Sequence, residues 1–266
     1  GHWNVIARAV TDAMSPAERL LGGSGPSLDR LTWEVSLHLV LNGALHDAAV
    51  AAWGVKTAHD SPRPISLIRH LGGLGQSSDP DGAAYHPDGL PLVDDLVEVA
   101  SAATTALGGR HEGLGVGRVV VRAWAPRVDP DDPAVRWIHA EEWVPYQQAT
   151  FVSPAFAGYV SGHSTFSRAA AEVMTAATGS PWFPGGSFGW TVPAGDLAFE
   201  GGPSGDVVLT WATYADAADQ AGRSRIHGGI HIPADDHAGR IIGAEVGRLA
   251  WERALPLFAA PAGSAT

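Results

Sequence analysis

The stretch SGHSTFSRAAAEVMTAATG, residues 161–179, reads as one helix with a marked start and stop. Ser161 suits the N-cap, the Ala-rich run from Gly162 to Thr178 carries the helix, and Gly179 closes it. A helix that begins this way offers unpaired backbone N–H groups and the positive end of its dipole, which favour an anion. Ser161 can add a hydroxyl donor there, Gly162 lets a ligand come close, and the His163 imidazole is of a type that can act as acid or base near neutral pH. A plain serine cap beside an incidental histidine gives the same letters, so this segment needs partners before it means a site.

Helical signals dominate on both sides of it. Ser15-Pro16-Ala17-Glu18 predicts a short helix ended by Gly22-Gly23, and a long helix is expected from about Leu31 to Asp60, stopped by Ser61-Pro62-Arg63-Pro64. Residues 76–91 read as a surface loop, 92–107 as a helix, and Val119-Val120-Val121 as a short strand. Asp131-Asp132-Pro133 is expected to start a helix through Trp143, and Phe151 to Val160 an extended run into Ser161. Residues 180–203 read as irregular, and 204–221 as a helix stopped by Gly222. After a loop from Arg225 to Pro233, a last helix covers 234–255. No repeat or linker stands out, so the reading is an all-α bundle, one helical domain over 1–266 with its core at about 31–255.

Two other segments supply the partners. Lys56 is the only lysine among 17 basic residues, so composition does not explain its survival as lysine. A lysine is a compact point charge with three rotatable donors, suited to gripping an oxyanion and polarising one of its oxygens. On a helix, Trp53, Lys56, Asp60 and Arg63 share one face. A surface Lys56–Asp60 pair is the plain alternative. Downstream, Arg225 brings a bidentate oxyanion donor, His231 an imidazole, and Asp235 a carboxylate four residues on. Asp235 either orients the His231 ring or caps the last helix with Asp236. Gly228-Gly229 and Pro233 break the continuous helix that a zinc reading of His227 and His231 requires.

Bulk properties narrow the partners. A formal net charge of −11 makes nucleic acid and anionic membrane surfaces poor ones. Zero cysteines exclude disulfides and thiolate sites. The most apolar helical stretch, 32–58, is interrupted by Glu34, His38, Asn42, His46 and Asp47, so no membrane span is expected. The start, Gly1-His2-Trp3-Asn4, has no initiator Met and reads as a fragment or processed form. A secreted or periplasmic location, with its signal outside this sequence, is left open, as is a homo-oligomer. His46-Asp47 is a candidate supporting pair, and the ten tryptophans read mostly as core or as pocket lining within 143–159.

Together the segments resemble the three-part signature of the vanadium-dependent haloperoxidase and type 2 phosphatidic acid phosphatase superfamily, in its bacterial haloperoxidase-like branch. The pattern appears as Lys56/Arg63/Pro64, then Ser161/Gly162/His163, then Ser224/Arg225/His231/Asp235, over roughly 31–255. Val160 departs from the proline usual before the serine. The resemblance implies that Lys56, Arg63 and Arg225 bind equatorial oxygens of vanadate or phosphate, with Ser161 and the Gly162 amide adding donors. It implies that His163 is the acid–base group and that His231 bonds the central atom, as the metal ligand in the vanadate case. A unit charge pair 4 Å apart gains about 4 kcal/mol at an effective dielectric near 20, so three cations around one dianion is a coherent design.

Two chemistries fit such a pocket. In a soluble acid phosphatase of this type, His231 attacks a phosphate monoester and forms a phosphohistidine. In a haloperoxidase, vanadate is the cofactor, hydrogen peroxide and halide are the substrates, and a small organic acceptor takes up the hypohalous acid. Three features favour the second. Trp53 and Phe156 resemble the aromatic pair beside the halide position. Gly228-Gly229-Ile230-His231 resembles bacterial haloperoxidase-like runs. The absence of cysteine and the presence of only two methionines limit self-oxidation.

Overall fold

The computed structural model describes residues 1–125, 134–147, 150–197 and 201–258. Among them run, in chain order, α1 (His2–Ala13), α2 (Arg30–His59), α3 (Pro64–Leu74), β1 (Val97–Val99), β2 (Val119–Trp124), β3 (Val135–His139), α4 (Gly162–Thr178), β4 (Phe188–Val192), β5 (Val207–Trp211), α5 (Tyr214–His227) and α6 (Pro233–Phe258). The helical class and the bundle expected from the sequence hold, with two small sheets added to it.

The chain divides into two compact units. The first, residues 1–61, 156–226 and 231–266, holds α1, α2, α4, most of α5, α6 and the β4–β5 hairpin. Its core gathers Trp3, Ile6 and Val10 of α1, Trp33, Leu37 and Leu41 of α2, and Val173 and Met174 of α4. Asp29 caps α2 by accepting from the Thr32 N–H at 3.0 Å, and Asp60, in a left-handed conformation at φ 41°, ends it just before the prolines. Residues 30–74 form the one stretch, among those described, long and apolar enough to cross a bilayer. Within it, the buried face of α2 packs on α4 and α6.

The contact between α4 and α6 is set by a glycine row. A Cβ on Gly239, Gly243 or Gly247 would lie 2.7, 2.2 and 2.6 Å from the carbonyl oxygens of Ser161, Thr165 and Ala169 respectively. These glycines are four apart, so one edge of α6 has no side chains and lies directly on the α4 backbone. This close packing brings the first residues of α6 against the first residues of α4.

The second unit, 62–155 with 227–230, holds α3 and an antiparallel sheet in the order β1-β2-β3, with Val97 opposite Val121 and Val121 opposite Ile138. Its small core joins Val119, Val121, Ile138 and Trp143 to Ile65 and Ile68 of α3.

Several elements differ from the sequence reading. The helix expected over 92–107 is absent. Asp95 turns the chain at φ 57°, Val97–Val99 pairs with β2, and the Ser101 and Thr104 hydroxyls satisfy each other's backbone N–H groups in a turn. The helix expected from Asp131 to Trp143 is replaced, where described, by β3 and a single turn at Ala140–Glu142, because the branched and aromatic run Val135-Arg-Trp-Ile-His139 pairs with β2; 126–133 lie outside the described residues. Residues 207–211 form β5 rather than helix. The following helix starts at Tyr214, where Thr213 and Asp216 cap one another, and it runs through Gly222 instead of stopping there. Gly222 is needed for space, since a Cβ would meet Asp236 Oδ1 at 2.2 Å. At the N-terminus α1 forms without having been expected, and 15–23 give two short turns rather than one helix.

Candidate functional site

The start of α4 forms as its sequence implies. Ser161 is fully buried, and its Oγ accepts from the Ser164 N–H at 3.3 Å, so it is a true cap. A capping serine still has its hydroxyl hydrogen to donate. Gly162 is needed for a close approach: a Cβ there would lie 3.0 Å from the Trp53 ring. The glycine therefore lets an aromatic ring from α2 rest against the helix N-terminus.

Lys56 is 3% exposed, and its ammonium donates to the carbonyl oxygens of Ala157 and Gly158 at 2.7 and 3.0 Å. The surface pair with Asp60 does not form. Asp60 instead caps the helix through its backbone N–H on the Lys56 carbonyl. Trp53 and Phe156 tilt against one another with centroids 5.3 Å apart, and the Lys56 ammonium lies 5.8 and 5.3 Å from those centroids. Both rings are about two-fifths exposed, at 43% and 44%, so the buried cation sits behind an aromatic wall that faces solvent.

The third segment belongs to the same unit. His231 is 6% exposed and Asp235 4%, and His231 Nδ1 bonds Asp235 Oδ2 at 2.8 Å. Asp235 also accepts from the Ile232 N–H at 3.3 Å, so it both orients the ring and caps α6. The Asp235 carbonyl accepts from the Ser161 N–H at 2.9 Å, which ties this segment to the start of α4. Arg225 lies on the last turn of α5, half-buried, rather than in the loop that the sequence suggested. Its surroundings desolvate it and lower its pKa. His163, on the first turn of α4, is exposed to solvent and lines a cavity with Phe166. Desolvation first, then the nearby charges of Arg225, His231 and His2, lower its pKa to about 4, so the ring is neutral at ordinary pH.

The contacts thus link Lys56, Trp53, Phe156, Ser161, Gly162, His163, Arg225, His231 and Asp235 within one unit. Arg63 falls in the other unit, where it is 5% exposed, precedes α3 and donates to the Ile230 carbonyl at 2.9 Å. The His46–Asp47 pair forms at 3.1 Å with both side chains mostly in solvent, too open for the supporting role suggested for it.

Two features were missed. Asp236 is a buried bracket that accepts from the Ser164 hydroxyl at 2.6 Å and from Arg240 at 2.7 and 3.0 Å, and the Asp236-x3-Arg240 spacing was its signal. Trp3, Trp190 and Trp211 line a cavity that also takes in His163, although the pocket tryptophans were expected within 143–159.

The family described as VCPO second helical-bundle domain matches residues 36–260. A holo-type bacterial vanadium-dependent chloroperoxidase has a similar fold, with TM-score 0.58 and 20% identity over 98% of this chain and 42% of that one. The apo-type structure of a bacterial vanadium-dependent chloroperoxidase gives 0.54 and 20% over 86% of this chain and 38% of that one. The chain therefore spans about two-fifths of the length of these chloroperoxidase chains. No curated protein matches it. With most of its length matched by the family, and with this fold, the chain belongs to the VCPO second helical-bundle domain family, within the vanadium haloperoxidase and phosphatidic acid phosphatase superfamily.

Proposed function

We propose that this chain carries the catalytic neighbourhood of a vanadate-dependent haloperoxidase, which oxidises halide with hydrogen peroxide to hypohalous acid. The observation that carries the reading is Lys56: a buried ammonium, fixed by two carbonyls, behind the exposed Trp53–Phe156 wall. A phosphate site needs the cation. The adjoining apolar wall suits a weakly hydrated halide.

The donor set fits vanadate. Lys56 and Arg225 supply positive charge, and the Ser161 hydroxyl and Gly162 amide supply neutral donors at a helix N-terminus. Asp235 on Nδ1 of His231 fixes the tautomer, so Nε2 is the nitrogen with the lone pair that would ligate the metal. When bound, vanadate supplies a Lewis-acid centre that activates hydrogen peroxide toward halide. Lys56 would donate to an oxygen of the hydrogen peroxide and draw electron density from it, which would make that oxygen more electrophilic toward halide. His163, whose pKa is lowered to about 4 in the free protein and rises beside a bound anion, would accept the proton that hydrogen peroxide gives up. Trp53 and Phe156 hold the halide against the Lys56 charge.

The test is a paired assay on vanadate-loaded protein. Peroxide-dependent bromination of a dye is expected. Efficient hydrolysis of a phosphate monoester without any bromination would move the chain to the phosphatase side of the superfamily.

A further inference from the structure

One cavity in the first unit reaches the proposed acid–base group, while the rest of its lining has no part in the chemistry above. It has a volume of about 850 Å³ and is built from α1, the middle of α2, the β4–β5 hairpin, α5 and the start of α4. Its walls include Trp3, Phe166, Trp190, Leu209 and Trp211, and His163 stands in the same lining. The His163 ring packs on Phe166 with centroids 5.0 Å apart, which ties the cavity to the proposed acid–base group. Ser224, the neighbour of Arg225, also lines it.

The chemistry of the walls selects the guest. No aspartate, glutamate, lysine or arginine side chain lines the cavity among the described residues. The polar groups that do are largely occupied by one another. Gln220 accepts from the Trp211 indole N–H at 2.7 Å, and the Asn4 and Asn42 amides bond reciprocally at 3.0 Å. His2 packs against Trp190 at 5.4 Å between centroids. What remains is aromatic and aliphatic surface, in a volume within the ~300–1,000 Å³ range of small-molecule sites. Flat aromatic walls prefer a flat neutral guest that can stack edge-on or offset.

We infer that this cavity binds a neutral, electron-rich aromatic compound as the organic acceptor, presenting it beside His163. The identity of the guest as an acceptor rests on the haloperoxidase reading; the cavity's ability to bind it does not. In the step itself, hypohalous acid formed from hydrogen peroxide and halide delivers halogen to a ring carbon. A carbon–halogen bond forms, the O–halogen and C–H bonds break, and the released proton joins the hydroxide as water. The ring carbon is oxidised by two electrons and the halogen reduced by two.

The experiment uses 2-naphthol as probe, titrated calorimetrically into the full chain. One-site saturable binding is expected, weakened at least tenfold by Leu209→Arg, which places a charge in the apolar wall. Trp190→Ala adds no charge and serves if the arginine variant fails to fold. Sulfate titrated into the same variants reports whether the anion neighbourhood has kept its shape. Absence of saturable binding, or equal affinity in parent and folded variants, overturns the assignment. With bromide and peroxide, the variants should lose preference for 2-naphthol over a small polar acceptor, and an unchanged preference would overturn the acceptor role. Naphthol binding that responds to the variants, in a protein that brominates nothing, would sink the haloperoxidase reading and leave the aromatic site standing.

Discussion

His231 Nδ1 and Asp235 Oδ2 lie 2.8 Å apart with both side chains buried, so a carboxylate four residues along the chain fixes the imidazole's tautomer and aim. Partners of this kind behind a ligating histidine are worth about 10–100-fold in metal affinity. Asp235→Asn keeps the shape and loses the charge, and vanadate affinity by equilibrium dialysis should fall by about that factor. The cap on α6 survives in large part, because an asparagine oxygen also accepts from the Ile232 N–H. Parent-like retention of vanadate would remove Asp235 from the site.

Lys56 is the second test. Lys56→Met keeps most of the stem volume and removes the charge together with both bonds to Ala157 and Gly158. Losing one preorganised electrostatic group of this kind lowers turnover by about 10²–10³-fold. Halide oxidation should fall to that extent at saturating vanadate. Lys56→Arg keeps the charge but must fit a larger fork into a position only 3% exposed, so it should also lose activity, though less. Turnover near the parent level in the methionine variant contradicts the assigned role.

Those two tests concern residues that could be named from the sequence, and the reason is physical. Ser161, Gly162 and Gly179 write the limits of α4 in local chemistry, and the prolines at 62 and 64 do the same for the end of α2. Local signals of that kind are short-range and survive folding unchanged. The misread segments were decided by partners far away in sequence. Residues 97–99 and 135–139 are strands because both pair with β2, and 207–211 is a strand because β4 lies beside it. Gly222 looked like a stop because glycine is a poor helix former, while its actual constraint is Asp236, fourteen residues on. That misreading also put Arg225 in a loop. The aromatic cavity was illegible for the same reason, since α1 and a hairpin almost two hundred residues later supply its walls.

His163 should make anion binding depend on pH in a definite direction. In the free protein its pKa is lowered to about 4 by desolvation and by Arg225, His231 and His2. A bound dianion favours the charged ring and raises that value, so binding takes up a proton in the window above about pH 4. Affinity for sulfate, which keeps its charge throughout, should rise as pH falls from 7 toward 4, and His163→Gln should reduce the slope. Folding stability responds with the opposite sense. The unfolded histidine binds its proton at a higher pH than the folded one, so this group's contribution to stability falls as pH drops from about 6.5 toward 4. An equal pH slope for sulfate in parent and His163→Gln would show that the ring does not face the anion.

The glycine row on α6 yields a prediction about the scaffold, because it sets the distance between the two helix starts that carry Ser161 and Asp235. At Gly243 an added Cβ would lie 2.2 Å from the Thr165 carbonyl and 2.9 Å from the Arg168 side chain, so Gly243→Ala forces α4 and α6 apart. Overpacking of this sort destabilises by about 1–3 kcal/mol, which for a chain of this size lowers Tm by roughly 2–10 °C. Gly43, on the exposed side of α2, has nothing within 4 Å of its missing Cβ, and Gly43→Ala should stabilise by about 0.5–1 kcal/mol through helix propensity alone. The contrast separates packing from propensity, since both substitutions improve the intrinsic helix. Vanadate affinity adds a second readout. Gly243→Ala should weaken it along with stability, because the displaced helix carries the Asp235 carbonyl that bonds the Ser161 N–H at 2.9 Å, whereas Gly43→Ala should leave it unchanged. A Gly243→Ala protein as stable as the parent would mean that the helices do not meet through this row.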